Sequence, residues 1–133
     1  MRAARALAIG DRPAPRSFGP LTRSDIARFA GAGGDFNPLH LDDDVAREAG
    51  FPSVIAMGQL QAGVVAGVLS DWVGVEQVTR FEVRFASPFV LGDLLEVSGE
   101  VRAIEGAVAT VELVGRVAQR TVISAVARVA TLD

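Results

Sequence analysis

Residues 59–73 read Gln-Leu-Gln-Ala-Gly-Val-Val-Ala-Gly-Val-Leu-Ser-Asp-Trp-Val. Apolar side chains fall nearly all round the helix this run would form: Leu60, Ala62, Val64, Val65, Ala66, Val68, Leu69 and Trp72. A helix without a polar face belongs at the centre of a domain, because no side of it is suited to water. Its small residues, Ala62, Gly63, Ala66 and Gly67, would let a neighbouring element approach close to its axis. The rest of the chain must therefore supply a cover for this one helix.

From Val78 onward the period changes from helical to two. Phe81, Val83 and Phe85 alternate with Arg80, Glu82 and Arg84, as in a strand with one buried face. Pro88 interrupts that strand and Gly92-Asp93 turns the chain. Leu95, Val97, Gly99 and Val101 then alternate with Glu96, Ser98, Glu100 and Arg102, and 108–117 and 121–131 complete the set. The expectation is an α+β layout in which an antiparallel meander of about four strands wraps the helix. A sheet of that size covers only one side of a helix, so a dimer that extends the sheet is also expected.

Upstream, 1–19 reads as an extended segment, turn-rich over 11–20 and holding at most one short edge strand. Thr22 with Asp25 three positions on is a helix start, and Ile26, Phe29 and Ala30 follow at helical spacing until the glycines at 31–34. Asp42-Asp43-Asp44 opens a second short helix with negative charge at its positive end, and Gly50 ends it. Residues 1–133 thus read as a single domain, as the length suggests.

Composition removes several chemistries. The chain has no cysteine and one histidine, so disulfides, thiolate catalysis and metal sites built on Cys or several His are excluded. All 13 basic residues are arginine, which rules out a Schiff-base lysine and a P-loop. A net charge of −3 offers no footprint for nucleic acid. The N-terminus lacks the apolar stretch of a signal peptide, and the apolar run 64–69 is too short to cross a bilayer. A cytoplasmic domain without membrane partner is expected.

The lone histidine lies in a compressed polar run, Gly33-Gly34-Asp35-Phe36-Asn37-Pro38-Leu39-His40-Leu41-Asp42. Glycines and an Asn-Pro step break regular structure, so Asp35 and His40 should project from an ordered loop between two helices. An imidazole titrates nearest neutrality of all side chains, and a carboxylate beside it can orient the ring or share its protons. By itself such a pair is also compatible with a capped turn and a structural histidine.

The run 34–42, followed by Ala46, Phe51 and Ile55-Ala56-Met57-Gly58-Gln59-Leu60, closely resembles the signature of MaoC-like hydratases. The resemblance continues through 81–85, Pro88 and Gly92-Asp93. It implies a hotdog fold, a curved antiparallel sheet wrapped around a long buried central helix. It also implies reversible hydration of trans-2-enoyl thioesters to (R)-3-hydroxyacyl thioesters. In that reading Asp35 and His40 are the catalytic pair acting on a water, and Asn37 braces the loop or the water. The backbone N–H of Gly58 faces the thioester oxygen, while Met57, Gln59 and Ala66 line the acyl pocket. Met57, Gln59 and Ala66 are also where the chain departs from the usual family residues. No metal or redox cofactor is implied, only coenzyme A or an acyl carrier protein as substrate carrier, with Arg80 and Arg84 as candidates for its phosphates. The implied assembly is a homodimer, or a heterodimer with another hotdog subunit as the catalytic half of a 3-hydroxyacyl-carrier-protein dehydratase. A non-catalytic acyl-thioester-binding module is the remaining alternative.

Overall fold

The structure, a computed structural model, describes residues 2–133. Thr22 caps helix α1 (Arg23–Gly33) through a reciprocal box with Asp25, in which each side chain takes the other's backbone N–H. The helix runs past Gly31 and stops only at Gly34, whose φ of 71° is left-handed. Asp42 caps the short helix α2 (Asp43–Glu48), its carboxylate accepting from the N–H groups of Asp44 and Val45. The apolar run forms α3 (Gly58–Val73).

Five antiparallel strands follow or flank these helices: β1 (Arg16–Phe18), β2 (Val78–Phe85), β3 (Leu95–Glu105), β4 (Val108–Val117) and β5 (Arg120–Ala130). Their order across the sheet is β1-β3-β4-β5-β2. This corrects the expected four-strand meander. Only β3, β4 and β5 are consecutive hairpin neighbours, while β2 crosses to the far edge and pairs with β5, Phe81 opposite Ala127 and Val83 opposite Ala125. Alternation along a strand says which face is buried and nothing about which strand lies beside it.

The sheet curves over one face of α3. Val65, Val68, Leu69 and Val73 of the helix pack in a single cluster with Val97, Val101, Val111, Leu113, Ala125 and Ala127 of the sheet. The helix is not enclosed all round, in line with the expectation that a sheet of this size covers only one side of it. Gly63 is exposed and Ala66, Gly67 and Ser70 are half-buried. A Cβ built on Gly63 would meet nothing within 4 Å. Among the described residues no helix is long and apolar enough to cross a membrane.

Candidate active site

The loop after α1 is built by short side chains that satisfy the backbone as they turn it. Beyond Gly34, the Asp35 N–H returns to the Ala30 carbonyl at 3.2 Å. The Asp35 carboxylate accepts from the Asn37 N–H at 3.3 Å, and Asn37 Oδ1 accepts from the Leu39 N–H at 3.0 Å. Such local bonds are what Asp and Asn offer in place of helix or sheet. Pro38 then starts a 3₁₀ turn, Pro38–His40, that carries the imidazole.

Two bonds hold His40 against the segment that leads into α3. The Ile55 N–H donates to the Leu39 carbonyl at 3.2 Å. The Ile55 carbonyl lies 2.7 Å from His40 Nδ1. A carbonyl oxygen only accepts, so Nδ1 carries a proton and the neutral ring has its lone pair on Nε2. Nε2 stands 3.4 Å from Asp35 Oδ2, with the His40 side chain 9% exposed and that of Asp35 47% exposed. An unprotonated ring nitrogen and a carboxylate both seek hydrogens. The pair is therefore complete only when the ring is protonated or when a third group donates to both.

A second clasp fixes the same region from below. The Arg23 guanidinium of α1 binds the Asp43 carboxylate at the start of α2. The other oxygen of Asp43 accepts from the Val54 N–H at 3.2 Å, one residue before the carbonyl that holds His40. The Arg23 hydrogen bond, and after it that of Val54, holds the Asp43 carboxyl below the usual aspartate range. A group with a lowered folded pKa stabilises the fold above its unfolded pKa and loses that contribution as the pH falls through the folded value. Asp43→Ala is therefore expected to melt below the wild type at neutral pH. Thermal unfolding followed by circular dichroism should show the difference narrow as the pH is lowered below the aspartate range. A gap independent of pH would show that packing, not this charge, is what Asp43 contributes.

Met57 occupies the cap position of α3 and supplies no side-chain acceptor. The first N–H groups of the helix, Gly58 among them, are thus left without a cap partner at the positive end of the helix dipole. A Cβ on Gly58 would lie 2.9 Å from Phe85 Cε1, so the Phe85 ring rests almost on the glycine backbone.

These pieces meet at one cavity of about 650 Å³, lined by Asp35, Met57, Gly58, Gln59, Gln61 and Ser87 together with apolar side chains that include Phe29, Phe51 and Phe85. His40 is not itself on the wall, but its Nε2 lies 3.4 Å from Asp35, which is. Asn37 spends its carbonyl oxygen on the loop. Ala66 is absent from this cavity, contrary to expectation. It lies eight residues beyond Gly58, about 12 Å along the helix, and opens on a separate groove with Gly63, Gly67, Val78 and Phe81. Arg80 and Arg84, expected as phosphate contacts and not as pocket wall, do not line this cavity either. Their neighbours in register put them on the sheet face opposite Phe81, Val83 and Phe85, and Arg80 is bound to Glu82. Strand alternation forces this: if Phe85 faces the cavity, Arg84 cannot.

Three residues of the site were not foreseen. Gln61 was legible as a polar residue inside an apolar helix. Phe85 was legible as a strand residue but not as a cover for Gly58. Arg120, at the start of β5, braces the crossing between β2 and β3 by donating to Ser87 Oγ at 2.8 Å, the Pro88 carbonyl at 2.6 Å and Asp93 at 2.9 Å. An arginine in a turn carries no sequence signal of that role.

Residues 5–123 match the family described as MaoC like domain. Over 79 residues the chain is 37% identical to 3-hydroxyacyl-thioester dehydratase X of Mycobacterium tuberculosis, covering 59% of this chain and 28% of that protein. It is 36% identical over 76 residues to an (R)-specific enoyl-CoA hydratase of Rhodospirillum rubrum, covering 55% of this chain and 52% of that one. The match thus spans about half or less of these relatives' lengths. The solved (R)-hydratase from A. caviae involved in PHA biosynthesis superposes with a TM-score of 0.84 at 26% identity, over 97% of this chain and 100% of that chain. A helix wrapped by this sheet, the Asp35–His40 loop beside the helix start, and a family match running through both put the chain in one place: it belongs to the MaoC-like family, with the hotdog fold.

Proposed function

We propose that the chain is a hydratase–dehydratase of acyl thioesters that adds water reversibly to a trans-2-enoyl thioester, giving the (R)-3-hydroxyacyl thioester. The observation that carries this reading is the pairing of two acceptors, His40 Nε2 and Asp35 Oδ2, 3.4 Å apart beside a cavity that also contains Gly58. A water donating one hydrogen to each is the neutral species that satisfies both, and its oxygen lone pairs are then free for Cβ. As oxygen bonds Cβ, Nε2 takes the water's proton and delivers it to Cα, while the carboxylate holds the water in line. The Gly58 N–H stabilises the charge that builds on the thioester oxygen. The reaction balances with water alone, so neither metal nor redox carrier is required, and coenzyme A or an acyl carrier protein serves as the handle.

A second copy of the chain is the proposed partner. Strand β2 is paired on one side only. The groove beside it, about 480 Å³, is lined by Val78 and Phe81 of that strand and by Gly63, Ala66 and Gly67 of α3. An unpaired edge next to an uncovered apolar stripe invites association with another sheet.

Purified protein mixed with crotonyl-CoA is expected to bleach the enoyl absorbance, yield the (R)-hydroxy product and run at the mass of a dimer by light scattering. Acyl-CoA binding without turnover at any chain length would instead make the chain a binding module. A monomer that turns over only with a second hotdog polypeptide would make it half of a heteromer.

A further inference from the structure

Gln61 sits one turn along α3 from Gly58, 3% exposed, and its Oε1 is buried with no hydrogen-bond partner among the described residues. It is the orphan in a core where buried polar atoms are ordinarily paired. The side chain nevertheless lies on the wall of the cavity that Asp35 and Gly58 share. The wall is mainly apolar, with Met57, Ile55, Phe51 and Phe85, and its other polar side chains are Asp35, Gln59 and Ser87. A carboxamide both donates and accepts. One of a few polar groups in a mostly apolar wall, it is the kind of group that gives a pocket its orientation and selectivity.

The place on the helix says which part of a substrate it would meet. One helical turn advances about 5 Å along the axis, inward from Gly58. A thioester oxygen at the Gly58 N–H sets the reacting carbons next to it, so Gln61 lies beyond them, along the acyl chain. Resting on the function proposed above, we infer that Gln61 is the specificity-determining residue of this pocket and binds an oxygen substituent, a hydroxyl in the first instance, on the acyl chain beyond the reacting double bond. A site built to bond a hydroxyl discriminates against the analogue that lacks it, because the protein group is then left unpaired in the bound state.

The test uses trans-2-hexenoyl-CoA and its 5-hydroxy and 6-hydroxy derivatives as substrates. The saturated hexanoyl-CoA counterparts serve as non-reacting ligands in calorimetry, on the full chain and on Gln61→Met and Gln61→Leu. The expected result is a preference of tenfold or more in kcat/KM, and in Kd, for a hydroxylated member over the plain chain in the wild type. That ratio should fall to about one in both variants, whose melting temperatures should not drop, since each removes an unpaired buried polar atom. A wild type that binds plain and hydroxylated chains equally overturns the inference and assigns Gln61 to a buried water. Equal loss on both ligands in the variants overturns it as well, in favour of a purely structural role. Absence of turnover with the hydroxyl preference kept in calorimetry would sink the proposed reaction and leave the role of Gln61 standing. Failure of every one of these thioesters to bind would overturn both.

Discussion

Alanine in place of His40 is expected to lower kcat for enoyl-thioester hydration about 10²–10⁴-fold, the usual weight of one positioned acid–base group. The imidazole is held by a 2.7 Å bond from Nδ1 to the Ile55 carbonyl, so its Nε2 is presented in one tautomer and one orientation. No other histidine exists in the chain to substitute for it. The variant also leaves the Ile55 carbonyl unpaired, which costs about 1 kcal/mol of stability, so turnover must be read per folded molecule. Asp35→Asn isolates the chemistry more cleanly. Its amide oxygen still accepts from the Asn37 N–H and keeps the loop, while the charge that holds the water is gone. A comparable fall in kcat with a smaller change in KM is expected there. Retention of turnover in both variants would remove the pair from the mechanism.

The largest effect on stability is expected from Phe89→Ala, a loss of about 3–5 kcal/mol in chemical denaturation. Phe89 is 0% exposed and heads the fully buried side chains by volume. Its ring meets Phe18 of β1 at 6.3 Å between centroids, tilted by 55°. Its backbone carbonyl accepts from the Ala56 N–H at 2.8 Å, and Ile55 bridges to Val90 beside it. The cavity left by alanine would open beside Phe18, at a residue whose backbone is bonded to the segment that holds His40 and starts α3. Turnover in the folded fraction should fall along with stability, whereas Val126→Ala, at a position 41% exposed, should stay within about 0.5 kcal/mol of wild type. A small loss at Phe89 would mean that the connection between β2 and β3 collapses to refill the space.

Much of the site was legible because its chemistry is local. Thr22 with Asp25, Gly34, Asn37-Pro38 and Asp42 are each a backbone instruction that acts within about four residues, and each made the turn or cap that its type favours. The two strand faces were legible for the same reason, since period two assigns inside and outside without reference to neighbours. What misled was the inference from faces to neighbours. The nine residues 86–94, with Pro88 among them, are too long for a hairpin turn between adjacent strands. The chain uses them to carry β3 to the other side of the sheet.

By itself, then, the sequence determined the elements, the buried faces of the strands and the loop that carries Asp35 and His40, all consequences of spacing and of side chains bonding to nearby backbone. Only the tertiary structure decided that β2 lies beside β5, that the open side of α3 runs along 63, 66 and 67, and that Ala66 lies outside the cavity while Gln61 lies on its wall. Those facts depend on contacts between residues far apart in the chain. Such contacts are set by which apolar surfaces bury one another, and hydrophobic burial carries no direction that a local pattern could record.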